Sequence, residues 1–211
     1  NGKTSIAERV VLAVADSVWI PRTIIITGEI IRLYDPACHE LADDDDQVLE
    51  NLSYDMRWVR IKRPSLIIGG ELTLDQFESK YNPTTGINEA PIQLKSNGGT
   101  LVIDDFGRQR VDIAELLNRW IVPLAKGVDF MTLNSGRQIE MPFEQLLTFV
   151  TNLAPKDVVD EAFLRRMPYK IRVGDPSERE FRTLMADTAT RMGLKVEPNA
   201  IGHLLSKHYH S

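Results

Sequence analysis

The chain has 211 residues, and with 43% hydrophobic side chains it can bury one sizeable core and part of a second, smaller unit. A formal net charge of −5 argues against a domain that wraps nucleic acid through bulk electrostatics. The single cysteine, Cys38, excludes an internal disulfide, and the sequence shows neither an apolar run of membrane-spanning length nor a signal-peptide pattern. We therefore expect a soluble, cytoplasmic protein without a membrane partner.

The chain opens on a motif that is typical of phosphate binding. Asn1-Gly2-Lys3-Thr4 forms the second half of a G-x-x-x-x-G-K-[ST] loop, and a helical pattern over residues 5–15 follows it. Backbone N–H groups at a helix start, a lysine ammonium and a hydroxyl are the groups that a triphosphate and its Mg²⁺ require. The first half of the loop and the strand before it are missing from the chain, so we expect a fragment whose numbering begins inside the loop.

The next elements are predicted to alternate between strands and helices, as an open parallel sheet requires. Residues 22–27 indicate a second strand, and residues 43–56 indicate a helix with an acidic first turn. The four aspartates at 43–46 fit a solvated helix start better than a metal site. Residues 58–61 and 66–70 predict further strands, and the basic residues beside the first are expected to face solvent rather than a polyanion.

An apolar strand that ends in two acids is the most informative feature of the chain. Residues 101–103 do not alternate with polar ones, so both faces of this strand should be covered, as in parallel α/β sheets. Ligands collect at the carboxyl ends of such strands, which is where Asp104 and Asp105 would emerge. The alternative is a strand followed by an Asx turn that leads to Gly107.

The elements that follow fit the same sheet. Residues 111–125 carry apolar side chains at helical spacing and predict an amphipathic helix against the sheet. Residues 130–141 predict a hairpin around an Asn-Ser-Gly-Arg turn. Residues 146–150 form another apolar strand, which ends at Thr151 and Asn152, a polar tip at the same edge of the sheet.

The last part of the chain is predicted to be mostly helical. Residues 160–169 contain an arginine pair, and residues 170–173 look like a short strand. Two helical patterns follow, over residues 181–192 and 201–205. Near the end stand three histidines, His203, His208 and His210. No second cluster of ligands accompanies them, which favours a tail or helix end over a metal site.

In this order, the motifs resemble those of the AAA+ ATPase family. The matching elements are the half P-loop at 2–4, the Walker B strand at 101–105, the sensor 1 residue Asn152 and the arginine-finger segment that ends at Arg166. The resemblance implies an α/β P-loop NTPase fold, in which residues 1–174 form a parallel sheet sandwiched by helices and residues 175–211 begin a small helical lid. The hairpin is similar to the pre-sensor insertion of a branch that includes MoxR-type chaperone ATPases, magnesium chelatase subunits and enhancer-dependent transcription activators.

The resemblance implies ATP and Mg²⁺ as ligands and gives roles to particular residues. Nucleotide would be bound by Asn1, Gly2, Lys3, Thr4 and Ser5. Thr4 and Asp104 would hold Mg²⁺, directly or through water. Asp105, where many relatives carry Glu, would polarise the attacking water. Asn152 would orient that water, and its alternative role is to cap the next turn.

The resemblance also implies an assembly. Arg166, with Arg165 as the alternative, would act as an arginine finger on nucleotide bound to a neighbouring subunit. Catalysis would then require a homo-oligomer, in a ring such as a hexamer. The structural alternative is an exposed helix end whose arginines complement the helix dipole.

The predicted function is Mg²⁺-dependent ATP hydrolysis that drives the remodelling or assembly of a protein client. A nucleic-acid-linked AAA+ protein, such as a helicase loader or a transcription activator, is the first alternative, and the acidic composition weighs against it. A nucleotide-binding scaffold without hydrolysis is the second. It is considered because Asp105 is one methylene shorter than Glu and because the P-loop is incomplete.

Overall fold

The computed structural model describes residues 2–13, 15–42, 55–159, 161–195 and 197–208. The chain divides into two compact units, of which residues 3–170 form the larger and residues 171–211, together with the first two residues, form the smaller. No helix within the described ranges is both long and apolar enough to cross a membrane. The functional division into a nucleotide-binding core and a lid stays a prediction.

The larger unit mixes short strands and helices. In chain order these are α1 (Lys3–Arg9), β1 (Ser17–Pro21), β2 (Thr23–Ile26), β3 (Glu29–Arg32), β4 (Trp58–Lys62), β5 (Ser65–Ile68), β6 (Lys80–Asn82), β7 (Ile87–Glu89), α2 (Ile92–Lys95), β8 (Thr100–Ile103), α3 (Ile113–Lys126), β9 (Val128–Thr132), β10 (Gln138–Pro142), β11 (Leu146–Phe149), α4 (Pro155–Val158) and α5 (Glu161–Leu164). Single 3-10 turns lie at Val10–Ala13 and Leu74–Phe77. The smaller unit contains α6 (Glu178–Arg191) and α7 (Pro198–His208).

A parallel three-stranded sheet, in the order β11-β8-β5, forms the centre of the larger unit. In register, Phe149 of β11 and Ile68 of β5 both lie opposite Ile103 of β8. The three strands therefore end at the same level, and the segments that follow them meet at one edge. The sequence prediction of parallel strands at 66–70, 101–103 and 146–150 is confirmed.

Helices cover both faces of this sheet. Leu101 and Ile103 are fully buried in a core that they share with Leu116 and Trp120 of α3. On the opposite face, α1 lies against β5 and β8, and its Ala7 packs with Val102. Burial of both faces explains why β8 has no polar alternation, and the predicted α/β arrangement of a parallel sheet between helices is confirmed.

Residues 22–27 do form a strand, but it does not belong to the parallel sheet as predicted. Strand β2 pairs antiparallel with β3 at the edge of a separate four-stranded sheet in the order β2-β3-β7-β6. The reason is the two-residue turn between them, where Thr27 has φ +50° and Gly28 has φ +88°. Two positive φ values in succession produce a tight hairpin, and the chain returns at once instead of crossing over.

The separate four-stranded sheet is joined to the predicted hairpin, which is present as antiparallel β9 and β10. A second hydrophobic core includes Ile31 of β3 and Met131 of β9. Between the two elements, the Glu29 carboxylate accepts hydrogen bonds from the backbone N–H groups of Asn134 and Ser135, each at 3.2 Å. The hydrogen bond from the Ser135 side chain is the main cause that lowers the pKa of Glu29 below its usual value.

Two further predicted elements have different outcomes. The predicted helix at 43–56 falls largely on residues 43–54, which lie outside the described residues. The predicted strand at 170–173 is wrong, because this segment has no regular secondary structure. Its Ile171 is 83% exposed, and the described part of the chain offers it no neighbouring strand to complete the hydrogen-bonding ladder that a strand needs.

The smaller unit contains the two helices that the sequence predicted. Helix α6 begins with a capping box, in which the Ser177 N–H donates to the Glu180 carboxylate at 2.8 Å and the Glu180 N–H donates to the Ser177 hydroxyl at 3.4 Å. Helices α6 and α7 contact each other. Among the side chains of these helices that the structure describes, the buried apolar ones are Ala189, Ile201 and Leu205.

Candidate functional site

The first turn of α1 meets the end of β8 through a hydroxyl–carboxylate contact. The Thr4 Oγ1 donates a hydrogen bond to Asp104 Oδ2 at 3.0 Å, and both residues are half-buried. They are 100 positions apart in sequence. The packing of α1 across β5 and β8 brings them together, because Asp104 is the first residue after β8 and Thr4 is the second residue of the helix.

Lys3 and Asn152 form the second contact at this edge of the sheet. The Lys3 Nζ donates to Asn152 Oδ1 at 2.6 Å. Asn152 is exposed and stands three residues beyond Phe149, the end of β11. The structure therefore gathers Lys3, Thr4, Asp104 and Asn152, predicted from three separate stretches of sequence, around the carboxyl ends of two neighbouring parallel strands.

Asp105 stands on a tight turn directly after Asp104. Its N–H donates to Asp104 Oδ1 at 2.9 Å, so both oxygens of the Asp104 carboxylate accept hydrogen bonds. Its own side chain is exposed, and its φ of +49° lies in the left-handed region that non-glycine residues seldom adopt. Asp and Asn adopt this conformation more readily than other non-glycine residues.

Two side chains that the sequence analysis gave no role hold this turn. The Gln109 carboxamide bridges it, since Nε2 donates to the Asp104 carbonyl at 2.9 Å and Oε1 accepts from the Gly107 N–H at 2.8 Å. The Thr151 hydroxyl donates to the Phe106 carbonyl at 2.7 Å. At Gly107, φ is +100°, a backbone conformation that L side chains rarely adopt, and a Cβ would lie 3.0 Å from Leu153 Cδ1, so a larger residue would be strained there. The only indication of these roles in the sequence was that the polar Thr151 stands next to Asn152.

The remaining predicted site residues are placed as follows. Asn1 lies outside the described residues. Gly2 has φ +72°, and Ser5 is exposed in the first turns of α1. Arg165 and Arg166 are exposed directly after α5, where Arg165 forms a 3.8 Å pair with Glu161. The contacts at the sheet edge join α1 to the segments that follow β8 and β11. The arginine pair stands elsewhere, at the exposed end of α5.

The donor set at the sheet edge fits Mg²⁺. Thr4 and Asp104 offer a hydroxyl and a carboxylate, which are hard oxygen ligands. Among the residues that the structure describes, no three side chains of the His, Cys, Asp and Glu types form a cluster that could hold a metal ion. Mg²⁺ is commonly held by one or two protein oxygens together with substrate phosphates and water, so the small donor set is the usual one for this ion.

A second polar cluster lies in the loop after β3. Lys95 Nζ pairs with Asp35 Oδ2 at 2.6 Å, with side chains only 13% and 19% exposed. Burial alone would raise the pKa of Asp35, but hydrogen bonds from Lys95 and from the Ala37 N–H lower it to about 2. Burial raises the pKa of the Cys38 thiol to about 11 and lowers the pKa of His39. Cys38 is therefore a thiol at neutral pH and not a nucleophilic thiolate.

Solved structures with a similar fold are known. Over 99% of its length, the chain is similar to a chain in a cryo-EM-based structure of the complex between subunits BchI and BchD of magnesium chelatase, at 15% identity and a TM-score of 0.53, and it spans 60% of that chain. It is also similar, over 68% of its length and 35% of the other chain, to NtrX from Brucella abortus in complex with ADP, at 15% identity and a TM-score of 0.46. No protein-family model and no curated protein sequence matches the chain. The similarity to the magnesium chelatase chain shows the fold alone, an α/β fold with a parallel sheet between helices.

Proposed function

We propose that this chain is the nucleotide-binding part of an AAA+ ATPase that binds ATP and hydrolyses it with Mg²⁺. The observation that carries the proposal is the pair of contacts Thr4–Asp104 and Lys3–Asn152 at one edge of the parallel sheet. A lysine, a hydroxyl, a carboxylate and an amide at this edge match the groups that phosphoryl transfer requires.

Each residue has a chemical task in this proposal. Lys3 neutralises charge on the outer phosphates, while Thr4 and Asp104 hold Mg²⁺, directly or through water. The metal, when bound, offsets the negative charge that develops on the phosphates. Asp105 polarises the attacking water, and Asn152 orients it. Asn1, Gly2 and Ser5 complete the phosphate-binding segment with their backbone N–H groups.

The proposal extends to an oligomer and a protein client. Arg166, on the exposed segment after α5, supplies the arginine finger to nucleotide in a neighbouring subunit. Hydrolysis then takes place only in the assembled ring and drives remodelling of a protein partner. The hairpin β9–β10 directly before β11 supports placement in the branch that includes MoxR-type chaperone ATPases. This placement rests on analogy, since one fold serves many functions.

The test compares two variants, one expected to lose turnover and the other expected to lose nucleotide binding. Asp105→Asn removes the charge, and Asn tolerates the left-handed φ of +49° well, so the turn should persist. We expect it to bind ATP normally and to lower kcat by about 10²-fold or more, the range for loss of a general base. Lys3→Met should instead weaken nucleotide binding.

Binding is measured with a fluorescent ATP analogue and turnover by phosphate release, both on the full-length protein. Asp75→Asn, at an exposed aspartate on a 3-10 turn, is the matched control and should behave as wild type. Wild-type protein that binds ATP but does not hydrolyse it would favour a non-hydrolysing scaffold. An Asp105→Asn variant with the wild-type kcat would show that Asp105 has no role in activating water. Particle size with and without ATP tests the proposed ring.

A further inference from the structure

The Thr151 hydroxyl joins the turn that carries Asp105 to the segment that carries Asn152. Thr151 lies between Val150 and Asn152 after the end of β11, and it is half-buried. Its Oγ1 donates to the Phe106 carbonyl at 2.7 Å and accepts from the Leu153 N–H at 3.1 Å. One oxygen therefore spans the two segments that follow β8 and β11.

Phe106 holds the other side of this connection. Its N–H donates to the Val150 carbonyl at 2.8 Å, so both the N–H and the C=O of Phe106 are hydrogen-bonded to the residues that follow β11. Phe106 is only 3% exposed, and the centre of its ring lies 4.7 Å from the centre of the Phe149 ring. Asp105 directly precedes Phe106, and Asn152 directly follows Thr151. Each proposed water-handling group is thus one residue away from this bond.

We propose that Thr151 is a positioning residue that sets the separation between the Asp105 carboxylate and the Asn152 amide. The inference rests on the proposed ATP hydrolysis. The Thr151 hydroxyl bonds to backbone groups on the two segments, while Lys3 and Thr4 on α1 are proposed to hold the phosphates and the metal. Loss of the hydroxyl should therefore slow the chemical step and leave nucleotide affinity unchanged. A displacement of about 1 Å in a catalytic group can lower the rate by about 10²-fold.

The experiment compares Thr151→Ser, which keeps the hydroxyl, with Thr151→Ala, which removes it. Steady-state ATP hydrolysis by the full-length protein gives kcat and KM for each variant. We expect Thr151→Ser to stay near the wild-type kcat, whereas Thr151→Ala should lose about 10- to 100-fold in kcat with KM nearly unchanged. Thr148→Ala, at a half-buried threonine of β11 itself, is the matched control and should keep the wild-type kcat.

Several outcomes would overturn the inference. It is wrong if Thr151→Ala keeps the wild-type kcat, or if Thr151→Ser and Thr151→Ala lose the same amount, although hydrolysis by the wild type would still uphold the proposed function. If the wild type does not hydrolyse ATP, the proposed function is wrong and the positioning role falls with it. Thr151→Val, which keeps the side-chain volume, provides a second hydroxyl-free variant if the alanine variant does not fold.

Discussion

The half-buried Asp35–Lys95 pair leads to a quantitative prediction about stability. The pKa of Asp35 is lowered from 3.8 to about 2 in the folded protein, and each pKa unit corresponds to about 1.4 kcal/mol. Ionisation of Asp35 therefore contributes about 2 kcal/mol to the free energy of unfolding. The carboxyl is only 19% exposed, so solvent screens this contribution little. Asp35→Asn should remove it at pH 7.

The pH dependence follows from the direction of the pKa change. Well above pH 3.8 the Asp35 carboxylate is ionised in the folded and the unfolded chain, and its contribution is fully present. As the pH falls through 3.8 towards 2, the unfolded chain takes up the proton first and the contribution is lost. At about pH 3, roughly half of the difference between the wild type and Asp35→Asn should have disappeared.

Urea unfolding at pH 7 and pH 3 measures both quantities. Asp55→Asn is the matched control, because hydrogen bonds from Arg57 also lower the pKa of Asp55 to about 2. That pair joins residues two positions apart, and its side chains are 42% and 87% exposed, so it can form in the unfolded chain as well. Asp55→Asn should change the free energy of unfolding little. Equal losses in Asp35→Asn and Asp55→Asn, or a loss that does not shrink at pH 3, would refute the reasoning.

Two further predictions concern single arginines. Arg166→Ala should keep nucleotide affinity and lower kcat by about 10³-fold or more, which is the effect of losing an arginine finger. Arg165→Ala tests the neighbouring arginine in the same assay. Wild-type turnover in Arg166→Ala would reject the assignment. Arg119→Met removes a guanidinium whose Nη2 lies 2.9 Å from an oxygen of the Asp129 carboxylate, in a residue 3% exposed. We expect urea denaturation to show a loss of about 3–5 kcal/mol, and a loss below about 1 kcal/mol would show that the Gln93 amide, 3.0 Å away, suffices.

The central sheet could be predicted from the sequence because its strands carry their own signal. Residues 101–103 are apolar without alternation, and the structure buries all of them on two faces. The order of motifs then placed Asp104 and Asn152 at the ends of neighbouring strands. Parallel strands present their carboxyl ends at one edge, which brings Asp104 and Asn152 together, and the packing of α1 against β5 and β8 adds Lys3 and Thr4. The roles of these residues in catalysis stay predictions.

Other features depend on contacts that a linear pattern does not encode. The apolar run in β2 suits a parallel or an antiparallel strand equally, and only the turn at Thr27 and Gly28 decides between them. Neither Gln109 nor Thr151 stands at a sequence spacing that marks its role. The hydrogen bond from Thr151 joins residues 45 positions apart and forms only when β8 and β11 are in register. The segment at 170–173 has the composition of a strand, but the described residues provide no strand for it to pair with.

The grip of Glu29 on the hairpin turn has a mechanical consequence. Its carboxylate holds the tip of β9–β10 through backbone N–H groups that are 105 and 106 positions away, while the hairpin ends at Pro142, just before β11 begins at Leu146. The four-stranded sheet and the hairpin are therefore joined at the turn as well as through their shared core, and we expect them to move together. Because Pro142 lies only four positions before Leu146, the first part of the central sheet that a displaced hairpin would reach is the start of β11, the strand that ends three residues before Asn152.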